Sequence, residues 1–215
     1  MALAPPEAGP LAPQPRLSAG EARRILVQGR FGRSRAITER DVCHQELLGL
    51  PCALVAARIR TGSGASAGDE RLLRCLVDGL GGGAVWAEGV VDAAIKTSLA
   101  SQEAGHPTQL TALPAALPMQ RCVREGTDFI SRRVSLVQRG RRWDLVGPVE
   151  ARPLVYPYWV LTFRRRGRWD LRAADAISGE RASSIVKRSL IAGLVELDRD
   201  VGGSASAATT GRGTL

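Results

Sequence analysis

Residues 156–179 read YPYWVLTFRRRGRWDLRAADAISG, and their punctuation decides the fold class. Two runs, 156–164 and 168–175, flank Gly167; in the second, Trp169, Leu171 and Ala173 alternate with Asp170 and Arg172. A period of two places these sets on opposite faces of a strand, so the stretch is a β-hairpin turning at Gly167. Asp175 then closes the strand, because its carboxylate can accept backbone N–H groups, and Gly179 can supply the positive φ of a turn. Beyond it, residues 182–197 carry Ile185, Val186, Leu190, Leu194 and Leu197 on or near one stripe, which is a helical pattern.

Upstream, residues 133–138 alternate apolar and polar, Arg139-Gly140-Arg141-Arg142 reads as a turn, and Trp143-Asp144-Leu145-Val146 follows. This predicts a second hairpin, set apart by Gly147-Pro148. Four anchors of this half recur in the same order in the other. Arg23-Arg24 with Val27-Gln28 returns as Arg132-Arg133 with Val137-Gln138, and Pro51 before the run 52–59 returns as Pro157 before 158–163. Asp78-Gly79-Leu80-Gly81-Gly82 returns as Asp175-Ala176-Ile177-Ser178-Gly179, both D-x-[LI]-x-G, and Ile95-Lys96-Thr97-Ser98-Leu99 returns as Val186-Lys187-Arg188-Ser189-Leu190. Shared order at four places predicts an internal duplication.

The first half follows the same plan: Ile25-Leu26-Val27 leads into the turn Gly29-Arg30-Phe31-Gly32-Arg33, a hairpin spans 54–77 around a Gly/Ser loop at 61–68, and a helix covers 90–103. The expected fold is α+β. It has two diverged repeats, 21–104 and 121–200, each of two antiparallel β-hairpins followed by a helix and packed as one body. Residues 1–20, rich in proline and alanine, and 201–215, rich in small residues, are expected to be disordered tails, and 105–120 a proline-containing linker.

The segment Val77-Asp78-Gly79-Leu80-Gly81-Gly82 and its counterpart from Asp175 to Glu180 resemble the strand-turn signature of PepSY-type domains, which are small α+β modules. The resemblance spans those residues of each half and implies a hairpin closed by a turn.

The hydrophobic fraction of 44% predicts a packed interior, and no apolar run approaches the roughly 20 residues that span a bilayer. The N-terminal stretch has no basic segment followed by an apolar one, so a cytoplasmic location is expected. The formal charge is +9, and Lys96 and Lys187 are the only lysines among 30 basic residues. Such a balance favours anionic partners.

The arginines concentrate at turns: Arg30 and Arg33 at one, Arg139, Arg141 and Arg142 at the next, Arg164, Arg165, Arg166 and Arg168 at the last. If the sheet brings these tips to one edge they form a positive strip, and the planar guanidinium fork suits phosphate or carboxylate. Trp143 and Trp169 follow two of the turns and could stack on bases, but alternation with leucine favours the core face. Tyr156, Tyr158 and Trp159 read as a buried strand, with a partner surface as the alternative. Lys96 and Lys187, at equivalent places, read as helix-surface residues or as a symmetric anion site. Asp78, Gly82, Asp175 and Gly179 read as turn residues.

Enzymatic signatures are missing from the sequence. There is no G-x-S-x-G elbow and no Walker loop, and Gly81-Gly82-Gly83 does not fit a dinucleotide fingerprint. Cys43, Cys52, Cys75 and Cys122 lie too far apart for a zinc pair, so neither a metal nor a cofactor is expected. The sequence therefore predicts a non-enzymatic binding or assembly module for an anionic macromolecule, nucleic acid or acidic protein, with a protein partner or self-association through a strand edge also open. The alternative is a small-ligand or anion-binding protein, or an enzyme, using Lys96 and Lys187 near the D-x-[LI]-x-G turns.

Overall fold

The computed structural model describes residues 10–28, 37–62, 69–101, 110–137 and 142–207. In chain order the elements are α1 (Ala19–Val27), a 3-10 turn (Glu39–Asp41), β1 (Val42–Thr61), β2 (Glu70–Asp78), β3 (Ala84–Trp86), α2 (Gly89–Ser101), β4 (Thr111–Ala112), α3 (Met119–Val137), β5 (Trp143–Arg165), β6 (Arg168–Asp175) and α4 (Ser184–Ala207). The architecture is α+β. One mostly antiparallel sheet has the order β3-β2-β1-β5-β6, with β4 paired to β1 off that path.

The sheet is organised by the ladder between its two longest strands, where Leu48 lies opposite Tyr158, Leu50 opposite Tyr156 and Cys52 opposite Leu154. Both strands run through a proline. Pro51 accepts the Gly79 N–H at 2.8 Å and Pro157 accepts the Ala176 N–H at 3.1 Å. In antiparallel geometry a residue's C=O and N–H point the same way, so each proline's missing donor faces away from the β1–β5 ladder, toward the turn that follows β2 or β6. The prolines, expected to open strands, are thus accommodated within them.

Side chains alternate between two helical layers. On one face Ala53, Val55, Ala57, Ile59, Cys75 and Val77 pack against Cys122, Ile130 and Val134 of α3, and Leu161, Phe163 and Ala174 pack against Leu26 of α1. On the other, Leu54, Leu76 and Tyr156 meet Ile95 of α2, and Leu48, Leu50, Val160 and Leu171 meet Leu190 of α4. Each fully buried aliphatic side chain contributes roughly 1.5–3 kcal/mol. The α3 layer sits close: a Cβ on Gly126 would lie 2.8 Å from the Val55 Cβ, so glycine at this helix position admits the strand.

Several expectations are corrected. Residues 133–137 are not a strand but the end of α3. Cys122, Gly126, Ile130 and Val134 repeat every fourth residue as a buried stripe, a longer pattern than the alternation at 133–138. Trp143 opens β5, which continues past Gly147-Pro148 rather than breaking there. Gly147, at φ +75°, lies in a bulge where Ala56 faces Glu150 and Arg58 faces Val146. Residues 25–27 belong to α1, whose Ser18 N-cap and Glu21 form a reciprocal capping box. Each half of the chain therefore contributes helix, hairpin, helix in place of two hairpins and a helix. The turn expected at 29–33 lies outside the described residues.

The described parts of the segments expected as tail and linker, from residues 10 and 110 onward, are docked. Leu11, 2% exposed, pairs in parallel with Leu154: its N–H donates to Pro153 and its C=O accepts from Val155. Thr111 and Ala112 pair in parallel with Leu48 and Gly49, and the Leu113 N–H donates to Gly49. Proline content misled here, because a single bridge on the free stretch of a long strand needs few donors.

Candidate functional site

The two D-x-[LI]-x-G segments form matching turns. After β2, the Asp78 carboxylate accepts the Leu80 N–H at 2.8 Å, and the Gly82 N–H donates to the Asp78 C=O with Gly82 at φ +74°. After β6, the Asp175 carboxylate accepts the Ile177 and Ser178 N–H groups, and the Gly179 N–H donates to the Asp175 C=O with Gly179 at φ +77°. Only a glycine takes such a φ without strain. Each carboxylate has one further partner: the Ser189 hydroxyl of α4 donates to Asp78, and the Tyr156 hydroxyl donates to Asp175 at 2.9 Å. Leu80 packs with the α4 cluster and Ile177 with the α2 cluster. Both aspartates are occupied in holding the fold.

The lysines are engaged elsewhere. Lys96 pairs with Asp92, four residues before it in α2, which also takes Arg74 at 3.0 Å. Lys187 pairs with Asp170 of β6. Among the described residues neither lysine forms an ion pair with Asp78 or Asp175, so the constellation needed for a lysine-and-acid site is not brought together.

Three of the four cysteines are likewise buried or half-buried, and Cys43 is exposed. Burial pushes the Cys75 thiol up to about 12 and also raises Cys52 and Cys122. Such thiols stay protonated near neutrality and are poor nucleophiles. Burial, reinforced by Asp175, raises the Tyr156 phenol too. Among the described residues no group of three or more His, Cys, Asp or Glu could hold a metal ion, and no helix is long and apolar enough to cross a membrane.

Of the aromatic run, Tyr156 is 2% exposed, and Tyr158 and Trp159 are half-buried. The Trp159 indole N–H donates to the Leu17 C=O at 2.8 Å, tying the segment before α1 to the sheet. Packing and hydrogen bonding occupy this run, and it offers little surface.

Of the arginine turns, only Arg142 and the β5–β6 tip can be compared, and these two lie at opposite ends of β5. Arg142 stands just before β5 and Arg165 at its far end, with the whole 23-residue strand between them. Arg30, Arg33, Arg139 and Arg141 lie outside the described residues. What the structure does assemble is the β5–β6 tip. Arg164, Arg165, Arg166 and Arg168 are all exposed, and Arg166 takes φ +50° beside Gly167 at +77°. Arg165, Arg166, Arg168, Trp169 and Asp170 line an open concavity of about 650 Å³. Trp169, expected in the core, is 66% exposed, because the buried cluster on its face reaches Leu171 and goes no further along β6.

The tip is firmly based. Phe163 is buried one residue before Arg164, and Arg172 stacks over its ring at 5.6 Å. Arg172 also donates to the Leu26, Val27 and Gln28 carbonyls, and Arg181 to those of Ile25 and Gln28. Two cations thus satisfy the free carbonyls at the end of α1, where the helix dipole is negative. Sequence reasoning missed this pair, since nothing near Arg172 or Arg181 in the chain signals a distant helix end. The same holds for Ser189, whose partner Asp78 lies in the other half of the chain.

No family model matches this chain, and no curated protein or solved structure matches it.

Proposed function

We propose that this protein is a non-enzymatic binding module that engages an anionic macromolecule through the β5–β6 hairpin tip. The observation that carries this reading is the tip's charge: Arg164, Arg165, Arg166 and Arg168 stand exposed together, and Asp170, the acid lining their concavity, is already paired with Lys187. Four guanidinium forks that form no ion pair among the described residues suit phosphate or carboxylate oxygens from outside. The body supporting the tip is two diverged copies of one helix–hairpin–helix unit. Supporting this are the recurrent turn bonds, Pro51 with Gly79 and Pro157 with Ala176, and the recurrent docked segments, Leu48 with Thr111 and Leu154 with Leu11.

The test is retention on heparin and binding to polyanions over a salt series, for the wild type and for Arg165→Glu with Arg166→Glu. The wild type binds with an affinity that falls steeply with salt, and the double reversal weakens it at least about tenfold with a shallower slope. Equal retention of the two proteins overturns the reading.

A further inference from the structure

The arginines account for an anion, but they leave the indole of Trp169 unexplained. At 66% exposed it is a large apolar surface standing in water, where an ordinary sheet would carry a polar residue. It lies in the same concavity as Arg165, Arg166 and Arg168. We propose that this concavity is a binding site for single-stranded nucleic acid, in which a base stacks on Trp169 while the arginines hold the flanking phosphates. The proposal rests on the anion-binding reading above and deepens it.

Three observations favour a single strand over other polyanions. An acidic peptide would satisfy the guanidinium groups but has no flat π-face to cover an indole, whereas every base has one. A duplex would have to admit the tip into a groove, and the projecting part is short: β1 begins with Val42 opposite Phe163, so only the residues from Arg164 to Trp169 extend beyond the ladder. The helices pack on the sheet, with buried residues of each in the core clusters, and none is presented as a groove-reading element. An unpaired strand has no such requirement, since its bases are already free to leave the stack.

The neighbouring charges fit as well. Asp170, the acid lining the concavity, is paired with Lys187 from α4, and Asp41, whose charge reaches Arg165, is held by the Thr38 N–H and hydroxyl. Trp169 pairs with Arg164 across the hairpin, which sets a guanidinium group beside the indole on one face, while Arg165 and Arg168, paired on the next rung, line the same concavity. A base on the indole would thus have Arg164 beside it on the same rung.

The experiment measures binding of a short oligothymidylate, the matching duplex and polyglutamate to the full chain, alongside Trp169→Ala, Trp169→Phe and heparin retention. The expected result is tightest binding of the single strand, a loss of roughly tenfold in Trp169→Ala, near-full binding in Trp169→Phe, and unchanged heparin retention in both. Equal single-strand affinity in wild type and Trp169→Ala overturns the proposal, as does duplex or polyglutamate binding as tight as the single strand. Should the wild type bind heparin while Trp169→Ala changes nothing, the anion-binding reading survives and the stacking site falls. Absence of binding to any polyanion removes both.

Discussion

Leu50 and Tyr156 lie opposite one another in the β1–β5 ladder, and the sequence separation between them is the one that also relates Pro51 to Pro157 and Leu48 to Leu154. The rungs on either side exchange under that offset: Gly49 faces Pro157, and Pro51, equivalent to Pro157, faces Val155, equivalent to Gly49. A ladder whose register maps onto itself in this way needs both long strands at once, since each is the other's antiparallel partner over this stretch. The central sheet is therefore the product of contacts between residues about a hundred positions apart, and local sequence signals cannot specify it.

Leu11 is the clearest case for testing. It is buried against Leu154 and Tyr156 although it stands in a proline-rich stretch. Leu11→Ala should lower stability to urea by about 2–4 kcal/mol. A change below about 0.5 kcal/mol, the range of an ordinary surface substitution, would show that the segment is not docked in solution.

Asp78, 7% exposed, joins the first turn to α4 through Ser189. Asp78→Ala strands two donors, the Leu80 N–H and the Ser189 hydroxyl, and should cost about 2–4 kcal/mol, with Ser189→Ala costing about 1 kcal/mol. In a double-mutant cycle the two losses should be less than additive, because each removes the same bond. Strict additivity would separate the turn from the helix.

Asp170 gives a pH-dependent check. Burial by itself would raise its carboxyl, but the Lys187 ammonium and the Leu171 N–H outweigh that effect and hold it below the usual carboxylate range. A depressed folded-state value means the stabilisation is complete above the unfolded value of about 3.9 and disappears as pH falls through the folded one. In Lys187→Ala the Asp170 midpoint, followed by carboxyl NMR, should move up, and the stability gap to wild type should close below about pH 4. An unmoved midpoint would mean that the pair does not form in water.

The β5–β6 hairpin and the turn after it were legible in the sequence because their determinants are local. Alternation over residues 168–175, Gly167 at positive φ, and an Asp followed four residues later by a Gly at positive φ each act within a few residues of the bond they make. The helices α2 and α4 were legible for the same reason. The α3 segment was not, because four alternating residues at its end fit a strand as well as a helix, and only the buried stripe from Cys122 to Val134 against Val55 and Ile59 decides between them.

The candidate site divides the same way. The sequence by itself determined that four arginines gather at one turn, since adjacency in the chain is adjacency at a hairpin tip. Tertiary structure alone decided that Trp169 is open, that Lys187 takes Asp170, and that Arg172 and Arg181 close the end of α1. Period two assigns a residue to a face, but whether that face is covered depends on where a distant helix comes to lie. Here the buried cluster stops at Leu171, and Trp169, two residues nearer the tip, is left in water.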